Sequence, residues 1–183
     1  MFNLTQARVL IVDDNRQMRF LVQSVLRAVG IYHCQEASDA FEAFECLKNT
    51  PTNLIITDIA MKPLDGIEFT RLLRMAPDSP GPSVPILIMT GHSERWRVTA
   101  ARDAGANGFL AKPISAKSML QHIGTTLQDN RRFVRTGSFY GPDRRRGPKP
   151  GFQGPMRRST DFDDSFNLDS MEDAPYSANK VSR

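Results

Sequence analysis

The chain has 183 residues, 40% of them hydrophobic, enough to bury one good core, and one domain with an appendage is the natural organisation. No apolar run approaches the ~20 residues of a membrane-spanning helix, and the start MFNLTQARVL lacks the basic stretch and apolar core of an export signal, so the expectation is a soluble, cytoplasmic protein. Cys34 and Cys46 have no CxxC or Cys/His spacing and are expected to be reduced apolar fillers, not metal or redox groups.

The net charge of +4 conceals a strong asymmetry. Residues 1–130 carry 13 basic and 13 acidic groups, whereas residues 131–158 carry nine basic groups against the single acid Asp143. Residues 159–183 reverse the sign, with two basic and six acidic groups. The basicity therefore belongs to one short segment.

In chain order, RVLIVD (8–13) reads as a first buried strand. Met18, Leu21, Val22, Val25, Leu26 and Val29 then recur at helical spacing, with Gly30 suited to the C-terminal cap. IYHCQEA (31–37) is the second strand, and Ser38 is placed to cap a helix containing Phe41, Phe44 and Leu47. NLIITD (53–58) is the third strand, followed by a helix from Gly66 to Met75. VPILIMT (84–90) is the fourth, followed by a helix from Ser93 to Gly105. GFLAK (108–112) is the fifth, and Ser115 opens a last helix with Met119, Leu120, Ile123 and Leu127 on its apolar face. Five apolar strands alternating with helices imply a parallel α/β sheet covered on both faces, with its ligand site at the carboxyl ends of the strands.

Those ends carry the chemistry. The first strand finishes in Asp13-Asp14, the third in Asp58, the fourth in Thr90 and the fifth in Lys112-Pro113. Any one of these alone is an ordinary turn or capping residue, and Asp13, Asp14 and Asn15 could each cap the first helix. Their joint occurrence at one edge, in the order Asp-Asp, Asp, Thr, Lys-Pro, is not what chance gives. Three carboxylates brought together repel one another. A hard divalent cation such as Mg²⁺, held by one or two carboxylates, waters and phosphate oxygens, relieves that repulsion. Lys112 can pair with a further oxygen anion. The set suits phosphoryl transfer, with Asp58 as nucleophile and Thr90 as hydrogen-bond donor.

At these residues the sequence resembles the receiver domain of bacterial two-component response regulators of the chemotaxis-regulator type. The matching pieces are VLIVDDN (9–15), LIITDIAMKPLDGIEF (54–69), ILIMTG (86–91) and AGANGFLAKPIS (104–115), within about residues 6–128. The resemblance implies a flavodoxin-like, doubly wound (βα)₅ parallel sheet of strand order 2-1-3-4-5. It implies that Asp58 is the phosphoacceptor, that Asp13, Asp14, Asp58 and the backbone carbonyl of Ala60 bind Mg²⁺, and that Lys112 and Thr90 contact the phosphoryl group. It further implies a switch made of Thr90 and Phe109, a cis bond before Pro113, and a histidine kinase or histidine phosphotransfer protein as donor. Output would pass by protein contact through a face of helix 4, strand 5 and helix 5, with no turnover of an external substrate.

Two departures stand out. Lys62 occupies the place, four residues after the acceptor, where this family usually has proline, and Pro63 follows it, while Asp65-Gly66 keeps its offset. Ala60 and His92 occupy the two places that tune dephosphorylation in this family. Ala60 would admit water and His92 would shield, so the lifetime of the phosphorylated state is not set by either alone. His33 and His122 read as structural or surface residues, and Trp96 as either a partner anchor or a packing residue.

Beyond residue 128, only Val134, Leu168 and Val181 represent Ile, Leu and Val, while Gly and Pro occur five times each. The expectation is a disordered tail over 129–183, basic in 131–158 and acidic in 159–183. Arginines interleaved with Phe133, Phe139 and Tyr140 could bind nucleic acid, an acidic protein surface or anionic lipid, and a regulator whose tail binds nucleic acid is the rival reading. An Asp-nucleophile phosphatase of the haloacid-dehalogenase type would need an acid two residues after the nucleophile, where Ala60 stands.

Overall fold

A computed structural model describes residues 4–91 and 95–143. Five strands form one parallel sheet: β1 (Arg8–Val12), β2 (His33–Ala37), β3 (Leu54–Asp58), β4 (Ile86–Thr90) and β5 (Gly108–Ala111), in the order β2-β1-β3-β4-β5. Five helices alternate with them: α1 (Arg16–Ala28), α2 (Ala40–Asn49), α3 (Gly66–Met75), α4 (Arg95–Ala104) and α5 (Ala116–Leu127). This is the predicted (βα)₅ architecture. β3 and β4 lie inside the sheet and are buried at every residue, so their sequences read as continuous apolar runs. β2 lies at the edge and is only partly buried, so its pattern is mixed.

One core layer packs Val9, Ile11, Leu54, Ile56, Leu87 and Leu110 of the sheet against Val22 and Leu26 of α1 and Met119 and Ile123 of α5. On the other face, fully buried Phe69 of α3 meets the Phe44 ring edge-on at 5.3 Å. Two expected core residues lie outside. Leu21 is 44% exposed and Phe41 60% exposed, because each sits one helical step off its helix's buried stripe.

Asn15 caps α1, its Oδ1 accepting from the backbone N–H groups of Gln17 and Met18 at 2.9 and 3.3 Å. Neither aspartate before it is used for that purpose. The α2 cap is Asp39 in place of the expected Ser38, since Asp39 Oδ1 accepts the Glu42 N–H. Ser38 instead donates its N–H and Oγ–H to Glu42 Oε2, both at 2.7 Å. Ser115 caps α5 as expected, accepting from the Ser118 N–H.

The chain departs from expectation after α5. In place of disorder from residue 129, β6 (Phe133–Arg135) and β7 (Tyr140–Pro142) pair as an antiparallel hairpin. Composition failed here because the hairpin builds no core of its own; it packs against Arg74 of α3. That arginine is fully buried, and its guanidinium donates to the carbonyl oxygens of Gly105, Pro82 and Val84 and to Asn107 Oδ1, at 2.7–3.0 Å. Phe133 covers it, with the guanidinium carbon 5.1 Å from the ring centre. Burial pushes the Arg74 guanidinium down to about 9, so it stays charged at neutral pH. The remainder of the basic segment, from residue 144, and the acidic segment 159–183 lie outside the described residues.

Because buried Arg74 satisfies four acceptors, two of them in buried and two in part-buried hydrogen bonds, Arg74→Ala is expected to cost about 3 kcal/mol or more in urea unfolding. A cost below about 1 kcal/mol would show that these carbonyls find water instead. Asp129 supplies a pH test. Burial alone would raise its carboxyl, but hydrogen bonds from Arg131 and Asn107 outweigh that and hold it below its ordinary 3.8. Its stabilising contribution is therefore complete above the unfolded pKa and is lost as pH falls through the lower folded value. Acid unfolding below about pH 4 should accordingly be less steep for Asp129→Asn than for the wild type.

Candidate functional site

The parallel register brings the polar strand ends together. Val12 pairs with Thr57, Asp58 with Met89, and Thr90 with Ala111, so Asp13, Asp58, Thr90 and Lys112 sit within one residue of a common row. The Lys112 N–H donates to the Thr90 carbonyl at 2.7 Å, closing the row at the β5 end.

Asp13 is 1% and Asp58 6% exposed, and both face one ammonium. Lys112 Nζ lies 2.9 Å from Asp58 Oδ1 and 3.5 Å from Asp13 Oδ2. Asp13 Oδ1 accepts the Asn15 N–H at 2.9 Å, whereas Asp13 Oδ2 is buried without a hydrogen-bond partner. Burial raises the Asp13 carboxyl above the usual carboxylate value, opposed by the Asn15 hydrogen bond and by Lys112. Two buried carboxylates sharing one lysine leave uncompensated negative charge, with an oxygen available to a hard cation. Asp14, next along the chain, and Ala60, two residues past Asp58, are exposed at the mouth. Among the described residues no three His, Cys, Asp or Glu side chains form a metal cage. The donor set fits Mg²⁺, which retains waters and takes only one or two carboxylates, and does not fit a metal enclosed by protein.

Thr90 is buried at the end of β4, and Phe109 is buried on β5, three residues before Lys112. The Lys112-Pro113 bond is cis, and so is Lys62-Pro63 in the loop where the proline is displaced by one place. That displacement leaves α3 in position. Asp65 and Glu68 form a reciprocal capping box, and the Gly66 N–H donates to the Ile59 carbonyl at 3.1 Å. A Cβ on Gly66 would overlap the Asp58 carbonyl oxygen, so only glycine lets α3 begin this close to the site. His92 lies outside the described residues.

Arg19 is a site residue that the motif reading missed. Its Nη1 donates to the Asp13 carbonyl at 2.8 Å, and its Nε pairs with Glu36 Oε2 at 3.0 Å, bracing the Asp13-Asp14 turn from α1 and β2. The available signal was an arginine one helical turn beyond the Asn15 cap, together with an acid in an edge strand. A cavity of about 400 Å³ lies at the opposite ends of the strands, beside Arg8, His33 and Asn53, and is lined by none of Asp13, Asp58, Thr90 and Lys112.

Comparison with known proteins agrees with this geometry. The model of the response regulator receiver domain family matches residues 9–124. The chain is 32% identical over 116 residues to chemotaxis protein CheY-3 of Vibrio cholerae, covering 63% of this chain and 88% of that protein. It is 33% identical over 136 residues to response regulator MprA of a Mycobacterium species, covering 74% of this chain and 54% of MprA. Among solved structures, CheY4 of Vibrio cholerae superposes with a TM-score of 0.60 at 30% identity, over 66% of this chain and 98% of that one. The receiver domain of the Pseudomonas aeruginosa sensor kinase PA1611, solved with magnesium in its active-site cleft, shares the fold at 24% identity and a TM-score of 0.59, over 66% of this chain and 97% of that one. The chain belongs to the response regulator receiver family and is a phosphorylatable component of two-component signal transduction. Receivers of this kind bind Mg²⁺ in their active sites and exchange signals with histidine kinases or phosphotransfer proteins and with downstream targets.

The fit between Gly66 and the Asp58 carbonyl yields a local test. Gly66→Ala should lose about 1–3 kcal/mol of stability, as overpacked cores do. Its amide resonances should shift at residues 57–60. A variant as stable as the wild type with unmoved resonances would show that α3 has slack at this end.

Proposed function

We propose that Asp58 accepts the phosphoryl group. The observation that carries this reading is the 2.9 Å pairing of buried Asp58 with Lys112, beside a second buried carboxylate, Asp13, whose Oδ2 lies 3.5 Å from the same ammonium and accepts no hydrogen bond. A lone buried carboxylate would be costly; one held at 2.9 Å by a lysine ammonium is oriented as a nucleophile. Its oxygen forms a bond to the phosphorus of a phosphohistidine as the phosphorus–nitrogen bond breaks and the released imidazole takes up a proton. Asp13, Asp14, Asp58 and the Ala60 carbonyl are the groups that would hold Mg²⁺. When bound, that ion supplies positive charge against the phosphoryl oxygens.

Lys112 then passes from Asp58 to the new phosphoryl oxygens, and the Thr90 hydroxyl donates to them. Phosphorylation adds about one to two negative charges. Phe109, next to this rearrangement on β5, transmits it toward α4 and α5. Trp96, 60% exposed on α4, is suited to anchor the target, because an aromatic ring supplies large contact area at low conformational cost. The reading is of a switch, with no external substrate turned over. It includes a cytoplasmic location, for which the unpaired Cys34 and Cys46 speak.

Intact-protein mass after incubation with acetyl phosphate and Mg²⁺ should show one phosphoryl adduct. The adduct should be absent from Asp58→Asn and from a metal-free sample, and reduced at least about tenfold in rate for Lys112→Ala, since a tenfold loss corresponds to only about 1.4 kcal/mol of transition-state stabilisation. An adduct of equal yield on Asp58→Asn would contradict the assignment.

A further inference from the structure

A second polar network occupies the opposite ends of β4 and β5. Asn107 immediately precedes β5: its N–H donates to the Ile86 carbonyl at 2.9 Å, and its Oδ1 accepts from the Ile86 N–H and from Arg74. The outer side of this network is closed by the segment after α5. Asn107 Nδ2 donates to Asp129 Oδ2 at 3.3 Å, and Arg131 Nη2 donates to the Asn107 carbonyl at 3.0 Å. Phe133 lies on Arg74, and the Tyr140 hydroxyl bonds Ser83 Oγ at 2.7 Å.

We propose that residues 129–143 form a strap coupled to the aspartate pocket: the docked strap holds the receiver in its unphosphorylated arrangement, and phosphorylation at Asp58 loosens the strap. This inference rests on the reading of Asp58 as the phosphoacceptor.

Three observations carry it. First, the strap grips the elements that reach the pocket. Gly105 to Asn107 joins the end of α4 to the start of β5, and β5 carries Phe109 and leads to Lys112. β4 starts at Ile86, which Asn107 clamps, and ends at Thr90. The strands are four and five residues long and paired along their length, spanning about 13–17 Å, so a shift at one end moves the other.

Second, the contact has no slack. Gly105 has a φ of +99°, and a Cβ there would lie 2.6 Å from the Tyr140 carbonyl oxygen. A Cβ on Gly141 would lie 2.8 Å from the Gly105 Cα. Backbone meets backbone, so the α4–β5 turn cannot move toward the strap without displacing it.

Third, the strap is weakly enough held to yield. Among the described residues its two three-residue strands pair with each other alone, and a hairpin of this size is marginal in water without the few contacts named above. Linkage then requires reciprocity: whatever loosens the strap must favour the phosphorylated arrangement by the same factor.

Hydrogen exchange on the full chain tests this, with beryllofluoride and Mg²⁺ standing in for the aspartyl phosphate. Amides in 131–143 should exchange at least about fivefold faster at saturating beryllofluoride, the lower end of ordinary allosteric coupling. Arg131→Ala and Phe133→Ala should exchange fast in either state and bind beryllofluoride more tightly than the wild type. Asp58-dependent beryllofluoride binding with unchanged or slower strap exchange would overturn the strap and leave the phosphoacceptor reading intact. Absence of saturable binding would overturn both.

Discussion

Lys112 holds two buried carboxylates, one at 2.9 Å and the other at 3.5 Å, and the rest of the molecule is arranged so that it can. Asp13 and Asp58 lie on neighbouring strands, each shielded from water, where like charges repel strongly. A single ammonium cannot neutralise both. On the reading proposed above, that deficit is the chemical content of the site: a hard cation together with a phosphoryl group would restore the balance that protein alone does not.

That constraint explains features that look unrelated along the chain. Asn15 takes over the capping of α1, which leaves the aspartates before it to the pocket. Arg19, tied to Glu36, fixes the carbonyl of Asp13. Gly66 lets α3 start against the Asp58 carbonyl. Lys112 reaches back from β5 because Thr90 accepts its N–H. At the other ends of β4 and β5, Arg74 and Asn107 tie the strand starts to α3 and to the hairpin. The same two strands thus run from the charged pocket at one end to a neutral-oxygen cradle around a buried guanidinium at the other.

Much of this was legible in the sequence. Continuous apolar runs ending in Asp58 and Thr90 mark interior parallel strands, and helical spacing marks the helices between them. The meeting of Asp13, Asp58, Thr90 and Lys112 was legible because the fold puts strand ends in one row, whatever the loops do. The hairpin was not, since Phe133 packs on Arg74 of α3 and Tyr140 bonds Ser83, contacts roughly 60 residues away along the chain that no local pattern announces. Asp39 and Ser38 compete for one cap, and the winner depends on where Glu42 points. Leu21 and Phe41 fit a helical stripe by count, yet lie beyond the edge of the packed face. Arg19 carries no local motif; its role exists only once β2 brings Glu36 alongside.

The central claim is that the phosphoryl group resides on Asp58 and on no other carboxylate of the pocket. Reduction of the phosphorylated chain with sodium borohydride converts an acyl-phosphate aspartate to homoserine, and peptide mapping then locates it. Homoserine at position 58, with Asp13 and Asp14 recovered intact, is the predicted result. Homoserine at position 13 or 14, or a stable adduct that borohydride leaves untouched, would contradict it.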